Sequence, residues 1–232
     1  CGSDISYYYG HSPLGTADGK GPLYLGHEMS GVVVEVGTIP AARGLFKEGD
    51  RVAVNPVQQC NACEYCMRGE FNVCPNSEVI GVSVNGGFAE YVKVKYTHVY
   101  KIPDNVRFEH AAMTEPLACA SNAVKRLDIH LGQDVVVFGP GPIGLMMVQL
   151  AKASGAGRVV LIGRRDYPLK VGGKAGADVL INTADVKSEY YAADVAQAVK
   201  KALGHLAPRA IVATSNMEAL QGALLVTGPA ST

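Results

Sequence analysis

Four cysteines, Cys60, Cys63, Cys66 and Cys74, fall within fifteen consecutive residues. The spacing Cys60-x2-Cys63-x2-Cys66-x7-Cys74 turns three thiols inward from tight knuckles and lets a returning loop close the set with the fourth. A closed tetrahedral shell of thiolates suits a structural zinc ion and leaves no coordination position for chemistry. An iron–sulfur centre or plain free thiols are the alternatives. The surrounding stretch, about residues 56–80, is polar and without periodicity, so a metal clip is its one evident reason to fold. Clustered thiols suit a reducing cytoplasm better than the scattered disulfides of a small secreted domain do.

At 232 residues the chain is ordinary for two domains, and its character changes near residues 115–125. Before that point, short β-branched runs lie between turn residues. The runs 31–37, 51–54 and 90–94 each predict a strand, the last by alternating apolar and charged residues. After it, apolar runs alternate with helical stretches. Strands are expected at 134–138, 159–162, 178–181 and 210–213, and helices at 142–154 and about 190–203. That alternation predicts βαβ units and a parallel sheet. The expected fold is α/β with a β-rich domain. Residues 1–118 form the β-rich domain with its cysteine lobe, and residues 119–232 form a doubly wound α/β domain. Four strands are legible in the second half, where the full fold has six.

Lysine plus arginine equals aspartate plus glutamate, 21 against 21. The balance removes any global electrostatic case for nucleic acid or an anionic membrane, and no basic recognition helix argues otherwise. No apolar run approaches the ~18–20 residues of a membrane span, and no secretory signal opens the chain. A soluble cytoplasmic protein acting on small molecules is expected.

Gly139-Pro140-Gly141-Pro142-Ile143-Gly144 follows the strand at 134–138 and opens a helix. In that setting a GxGxxG pattern points to a dinucleotide. Gly139 allows the turn, Gly141 lets backbone approach a pyrophosphate, and Gly144 lets helix pack on strand. The helix beginning at Pro142 and Ile143 offers its amides and positive end to the phosphates. A ligand-free tight turn is the alternative. NAD sites place an acid about 20 residues after the glycines, on the ribose 2′-hydroxyl. Here that strand end reads Gly163-Arg164-Arg165. An absent acid and two guanidinium groups favour a 2′-phosphate, and so NADP(H) over NAD(H). Asp166 follows, past the strand end. Both arginines in a solvated loop is the competing reading.

Three further segments carry donors: Cys1-Gly2-Ser3-Asp4, Gly26-His27-Glu28 and Thr114-Glu115-Pro116. Each alone is weak, since a lone histidine is more often a core or surface residue than a ligand. Brought together, cysteine, histidine and carboxylate around one open position make a catalytic zinc pattern. Asp4 could then orient the imidazole from behind.

With these pieces in order, the chain resembles the zinc-containing medium-chain dehydrogenases, and within them the sorbitol, threonine and butanediol dehydrogenase branch. The matching motifs are Cys1-Gly2-Ser3-Asp4, Gly26-His27-Glu28, Gly49-Asp50-Arg51-Val52, the cysteine cluster, Gly86-Gly87-Phe88-Ala89-Glu90-Tyr91, Thr114-Glu115-Pro116-Leu117 and the glycine loop. They run from Cys1 to about Asn182, and the sequence from about His205 onward matches poorly. The resemblance implies a chaperonin-10-like catalytic domain that carries both zincs, beside a Rossmann domain. It implies Cys1 and His27 as catalytic zinc ligands with Glu28 or Glu115 completing the set, and two zinc ions per full-length subunit. It implies Ser3 as the hydroxyl that passes the alcohol proton outward. Many relatives extend that relay with a histidine where this chain has Ser6. A homo-oligomer, dimer or tetramer, is also implied. Relatives carry more chain on both sides, so a piece of a longer protein is expected.

The expected activity is hydride transfer between a secondary alcohol (a polyol, diol or hydroxy amino acid) and NADP(H) or NAD(H). A zinc-independent quinone or enoyl reductase would lack Cys1, His27 and the cysteine lobe. A non-catalytic zinc-lobed dinucleotide-binding scaffold is the other alternative.

Overall fold

The computed structural model describes residues 2–11, 24–229 and 231–232. The chain divides into two compact units, Cys1–Pro116 and Leu117–Thr232.

The first unit opens with a short helix α1 (Gly2–Tyr8) and is built on an antiparallel sheet. Strand β1 (Ser30–Val32) is followed by the short helix α2 (Thr38–Ala42), and then by β2 (Arg51–Val54). Ser30 pairs with Ala53 and Val32 with Arg51. The expected strand at 31–37 is shorter, although mutual bonds between Val33 and the 49–50 turn prolong the pairing: Val33 N–H donates to the Asp50 carbonyl and Gly49 N–H to that of Val33, both at 2.9 Å. The lobe follows as β3 (Val57–Gln58), α3 (Glu64–Met67), a 3-10 turn at Phe71–Val73 and β4 (Glu78–Val79), with β3 and β4 pairing antiparallel. Strand β5 (Val99–Lys101) returns to the other edge of β2, and α4 (Phe108–Ala112) packs against β1 and β2. Residues 90–94, expected as a strand, are not one. Their alternation is real, but Tyr91 is exposed, and no described strand pairs with them; a strand needs a paired neighbour to be stable.

Helix α5 (Thr114–Leu127) leads into the second unit. There β6 (Val135–Phe138), α6 (Pro142–Ala153), β7 (Val159–Gly163), α7 (Asp166–Lys174), β8 (Val179–Asn182), α8 (Val195–Leu203), β9 (Arg209–Val212) and α9 (Met217–Val226) alternate. The sheet is parallel, in the order β8-β7-β6-β9. Residues of β6 and β7 are buried throughout, as strands covered on both faces must be. Their side chains alternate between two cores. Val135, Val137, Val159 and Leu161 pack with Met146, Met147 and Val148 of α6 and with Ala120 and Val124 of α5. Val136, Phe138, Val160 and Ile162 pack with Val199 and Leu203 of α8 and with Ala223 and Val226 of α9. The expected helix at about 190–203 starts only at Val195, because Asp194 caps it by accepting from Gln197 N–H at 2.9 Å. Helix α7 carries Pro168 and the pair Gly172-Gly173, which hide it from a propensity reading. The proline falls in the first turn, where it is tolerated. Gly172 lies so close to Leu161 of β7 that a Cβ there would overlap it.

Candidate functional site

The four cysteines meet as their spacing requires. The sulfur separations are 3.9 Å for Cys60–Cys66, 3.8 Å for Cys63–Cys74 and 3.6 Å for Cys60–Cys74. Four ligands at a Zn–S distance of about 2.3 Å in a tetrahedron stand about 3.8 Å apart, so the cluster has the dimensions of a zinc shell. The knuckle amides support it: Cys63 N–H points at the Cys60 sulfur (3.4 Å) and Cys60 N–H at the Cys74 sulfur (3.5 Å). Donation from Ala62 and Cys63 backbone N–H lowers the Cys60 thiol to about 6, whereas burial and the neighbouring sulfurs push Cys66 up to about 12. Neighbouring thiols that cannot all ionise alone are what a dication stabilises.

A second set of donors lies in the same unit. His27, Glu28 and Glu115 each offer a ligand atom, all within 4.8 Å of one another. His27 is buried and the two glutamates are half-buried. Asp4 stands behind the imidazole, its Oδ1 3.4 Å from His27 Nδ1 and 3.1 Å from Gly26 N, which donates to it. The Nδ1 approach is an ion-pair distance rather than an aligned hydrogen bond, since that nitrogen has no hydrogen-bond partner among the described residues. Burial works to raise the Asp4 pKa, but hydrogen bonding, including that from Gly26, and the nearby His27 outweigh it and hold the carboxyl below its ordinary value. One imidazole and two carboxylates are donors zinc accepts, and a carboxylate behind the histidine is the usual support for such a ligand.

Close backbone packing sets His27 in place. The 86–88 segment pairs with 24–26: Gly86 N–H donates to Tyr24 O (2.6 Å), Phe88 N–H to Leu25 O (2.9 Å) and Gly87 N–H to Gly26 O (2.8 Å). A Cβ on either Gly81 or Gly86 would overlap the Gly26 carbonyl, which explains physically the glycines at 81 and 86. Arg51 reaches the carbonyls of Pro103, Asp104 and Val106 at 2.6–3.0 Å, tying the chain that leads through α4 to Glu115 onto the sheet. Ser3 is half-buried on α1, beside Asp4 in sequence. Ser6 turns its hydroxyl back to Gly2 O at 3.2 Å. Cys1, the expected third kind of ligand, lies outside the described residues.

In the second unit a cavity of about 760 Å³ opens at the carboxyl ends of β6, β7 and β9. It lies where strand order reverses from β6 toward β9, the place α/β sheets reserve for ligands. Of the expected cofactor residues, Gly139, Gly141, Gly163, Arg164 and Arg165 line it; Pro142, Ile143 and Gly144 do not. Gly139 has φ +100°, the left-handed conformation of the turn, and at Gly144 a Cβ would overlap the Gly139 carbonyl. Around Gly141 there is open space, and no side chain caps the first turn of α6. Thr183, Thr214, Asn216 and Glu218 also line the cavity. They come from the segments after β8 and β9 and carry no local motif by which sequence reading could find them.

Asp166 does not line this cavity. Its carboxylate accepts from Ser188 Oγ at 2.6 Å and Asn182 Nδ2 at 2.7 Å, which lowers its pKa. Arg164 and Arg165 are exposed, and neither is paired with a carboxylate among the described residues. Glu218, an acid on the lining, belongs to α9 and so to the β9 side.

Residues 1–104 match the alcohol dehydrogenase GroES-like domain, and residues 142–232 match the zinc-binding dehydrogenase domain. The chain belongs to the zinc-containing medium-chain dehydrogenases. It is 37% identical to a sorbitol dehydrogenase of Bacillus subtilis (strain 168), over 78% of this chain and 51% of that one. Among solved structures, a short chain alcohol dehydrogenase from E. coli CFT073 complexed with NADH aligns over 100% of this chain and 64% of its own, at 34% identity and TM-score 0.83. A zinc-binding dehydrogenase from Sinorhizobium meliloti 1021 bound to NADP aligns over the same shares at 28% identity and TM-score 0.83. The chain spans about half the length of the curated relatives it matches. The second domain's match reaches residue 232, which corrects the expectation of poor family likeness from about His205 onward: β9 and α9 keep the βαβ alternation through that stretch. Among the described residues no helix is long and apolar enough to cross a membrane.

Proposed function

We propose that the protein carrying this chain is a zinc-dependent dehydrogenase that exchanges hydride between a polyol or diol and a nicotinamide cofactor, with NADP(H) preferred. Residues 1–118 would be the catalytic domain and 119–232 the nucleotide-binding domain. The observation that carries the proposal is the convergence of His27, Glu28 and Glu115, with Asp4 behind the histidine. That constellation would hold the catalytic zinc, joined by Cys1. Cys60, Cys63, Cys66 and Cys74 would hold the structural one.

Zinc supplies Lewis acidity, which lowers the pKa of a bound water from about 15.7 to about 7 and acts likewise on an alcohol, while the nicotinamide takes or gives the hydride. The protein's part is positioning. Asp4 fixes the His27 ring and favours its orientation as a ligand. Ser3 accepts the alcohol proton and passes it outward; with Ser6 bonded to Gly2 O, any further relay runs through water. The open backbone at Gly141 and the uncapped first turn of α6 receive the pyrophosphate.

The cofactor preference rests on the charges at the end of β7. The acid nearest in sequence, Asp166, is engaged with Ser188 and Asn182, while two unpaired guanidiniums line the cavity. A 2′-phosphate carries about −1.5 to −2 charge with three acceptor oxygens, which Arg164 and Arg165 suit. The test is kcat/KM of the full-length protein with NADP⁺ and NAD⁺ over a panel of sugar alcohols and vicinal diols. Oxidation of members of the panel, faster with NADP⁺ and abolished by chelation, is expected. No turnover by metal-replete protein, or turnover that resists chelators, overturns the zinc reading; an advantage for NAD⁺ overturns the cofactor preference.

A further inference from the structure

Pro140 stands between two glycines of the phosphate loop, at a position the GxGxxG pattern leaves unspecified. Gly163 ends β7 some distance away in sequence, and both line the same cavity. Gly163 does not have the left-handed backbone conformation that would require glycine, so its conformation is open to any residue. What is missing is space. A Cβ on residue 163 would stand 2.5 Å from Pro140 Cγ and 2.7 Å from Cδ, with Leu169 Cδ2 at 3.4 Å.

These ring atoms are not the loose end of a flexible side chain. The pyrrolidine ring is closed onto the backbone nitrogen and fixes φ, so it retreats only if the loop moves. The loop is held on both sides: Gly139 N–H donates to Ile162 O at 2.9 Å, and Ala213 N–H donates to Phe138 O at 2.7 Å. Residue 163 is held too, its carbonyl accepting from Thr183 N–H at 2.9 Å. Neither partner can yield cheaply.

We infer that Pro140 is a specificity-determining residue: its ring fills the place of a side chain at the end of β7, enforces glycine at 163, and so bars from that position the acid that reads a ribose 2′-hydroxyl. This rests on the proposed nicotinamide site. Arg164 and Arg165 supply the attraction for a 2′-phosphate, and Pro140 supplies the exclusion of the competing carboxylate. Gly163→Asp alone therefore does not create an NAD site, and the change requires Pro140→Ala with it.

The test has a steric arm and a cofactor arm. In the steric arm, Gly163→Ala adds only the methyl group, and overpacking of this kind is expected to lower Tm by roughly 3–10 °C. In a Pro140→Ala background the same substitution is expected to shift Tm by about 2 °C or less. If Gly163→Ala does not fold, recovery of a folded protein by adding Pro140→Ala supports the inference, and failure to recover overturns it. An equal Tm loss in both backgrounds also overturns it. In the cofactor arm, fluorescence titration with NADH and NADPH is expected to show that Gly163→Asp weakens both, and that Pro140→Ala with Gly163→Asp binds NADH at least about tenfold more tightly than Gly163→Asp alone. A gain of NADH affinity by Gly163→Asp alone overturns the inference. A wild type that prefers NADH sinks the cofactor preference instead, because the thermal comparison reads only methyl against ring.

Discussion

Cys63→Ser is the sharpest perturbation of the cysteine lobe. Little else holds this segment. Its secondary structure is one four-residue helix, one 3-10 turn and a two-residue ladder. Ile80 is buried, but Met67, Phe71 and Val73 are 76%, 45% and 50% exposed, so apolar burial is slight. Structural zinc contributes about 10–16 kcal/mol of apparent binding free energy in small metal-folded domains, and an even share among four ligands is roughly 2.5–4 kcal/mol per thiolate. At 1.4 kcal/mol per decade that is about two to three decades of affinity. The serine hydroxyl keeps the size of the group but not its charge, since its ionised form is out of reach at neutral pH. The assay is chelator competition with metal content measured afterwards, together with Tm and limited trypsin digestion at half-exposed Arg68. Wild type should keep its lobe zinc at chelator concentrations that strip Cys63→Ser, and the variant should be cut faster at Arg68 and melt lower. A variant with wild-type zinc retention and wild-type Tm would refute the closed-shell reasoning, because it would mean that Cys63 is not a ligand.

Other consequences are equally direct. His27→Ala in the full-length protein should lose turnover by orders of magnitude while NADPH titration is unchanged; retained turnover removes His27 from the metal site. Asp4→Asn should weaken the chelator-labile zinc by about 10–100-fold, as loss of a carboxylate behind a ligand histidine does, and unchanged metal affinity would show that Asp4 does not support His27 as a ligand. Replacing Arg164 and Arg165 by alanine should weaken NADPH binding by about tenfold or more, one charge-assisted hydrogen bond being worth roughly 1.5–3 kcal/mol, with NADH binding little changed; equal loss for both cofactors would show no phosphate selectivity. Asp134 is buried and bonded to Arg158 at 2.7 Å, with His205 at 3.1 Å. Burial raises its pKa, but Arg158 and His205 outweigh that and hold it below its ordinary value. Its stabilising effect is therefore complete above the unfolded value of about 3.9 and lost as pH falls through the lower folded value. Asp134→Asn should cost about 1–3 kcal/mol at neutral pH, discounted because Arg158 is 43% exposed, with the gap to wild type closing in acid; a gap independent of pH would refute the linkage.

The parts of the fold legible in the sequence are those written in local pattern. The run at 135–138 is apolar without alternation because both faces of β6 are covered, and the glycine loop follows it directly. The cysteine cluster carries its geometry in its spacing. What escaped reading is set by tertiary contact. Helix α7 carries a glycine at 172, which discourages helix, because its backbone there must approach Leu161. Residues 90–94 alternate as a strand should, yet no described strand pairs with them. Thr183, Thr214 and Asn216 reach the cavity from segments with no motif. Gly163 shows the same limit at one residue: its absent carboxylate is visible in the sequence, but the ring of Pro140 that forbids a side chain there is visible only in three dimensions.

The two donor sets in the first unit sort the proposed roles of their metals by both chemistry and support. The lobe offers four soft thiolates, closed on all sides and carried on knuckle turns. Nothing reacts at such a shell, so the segment need only be clipped, and small errors in its placement relative to the sheet cost nothing chemically. His27, Glu28 and Glu115 offer harder donors and fewer of them, as a site that must admit a substrate oxygen requires. There the position of each atom matters, because a misplacement of about 1 Å can cost on the order of 100-fold in rate. Close packing supports that second set: the glycines at 26, 81 and 86 bring backbone against backbone beside His27, Asp4 bonds the preceding amide while facing the imidazole, and Arg51 ties the chain leading to Glu115 to β2. Rigid support on the sheet is what distinguishes a metal that must aim a reacting atom from one that only closes a loop.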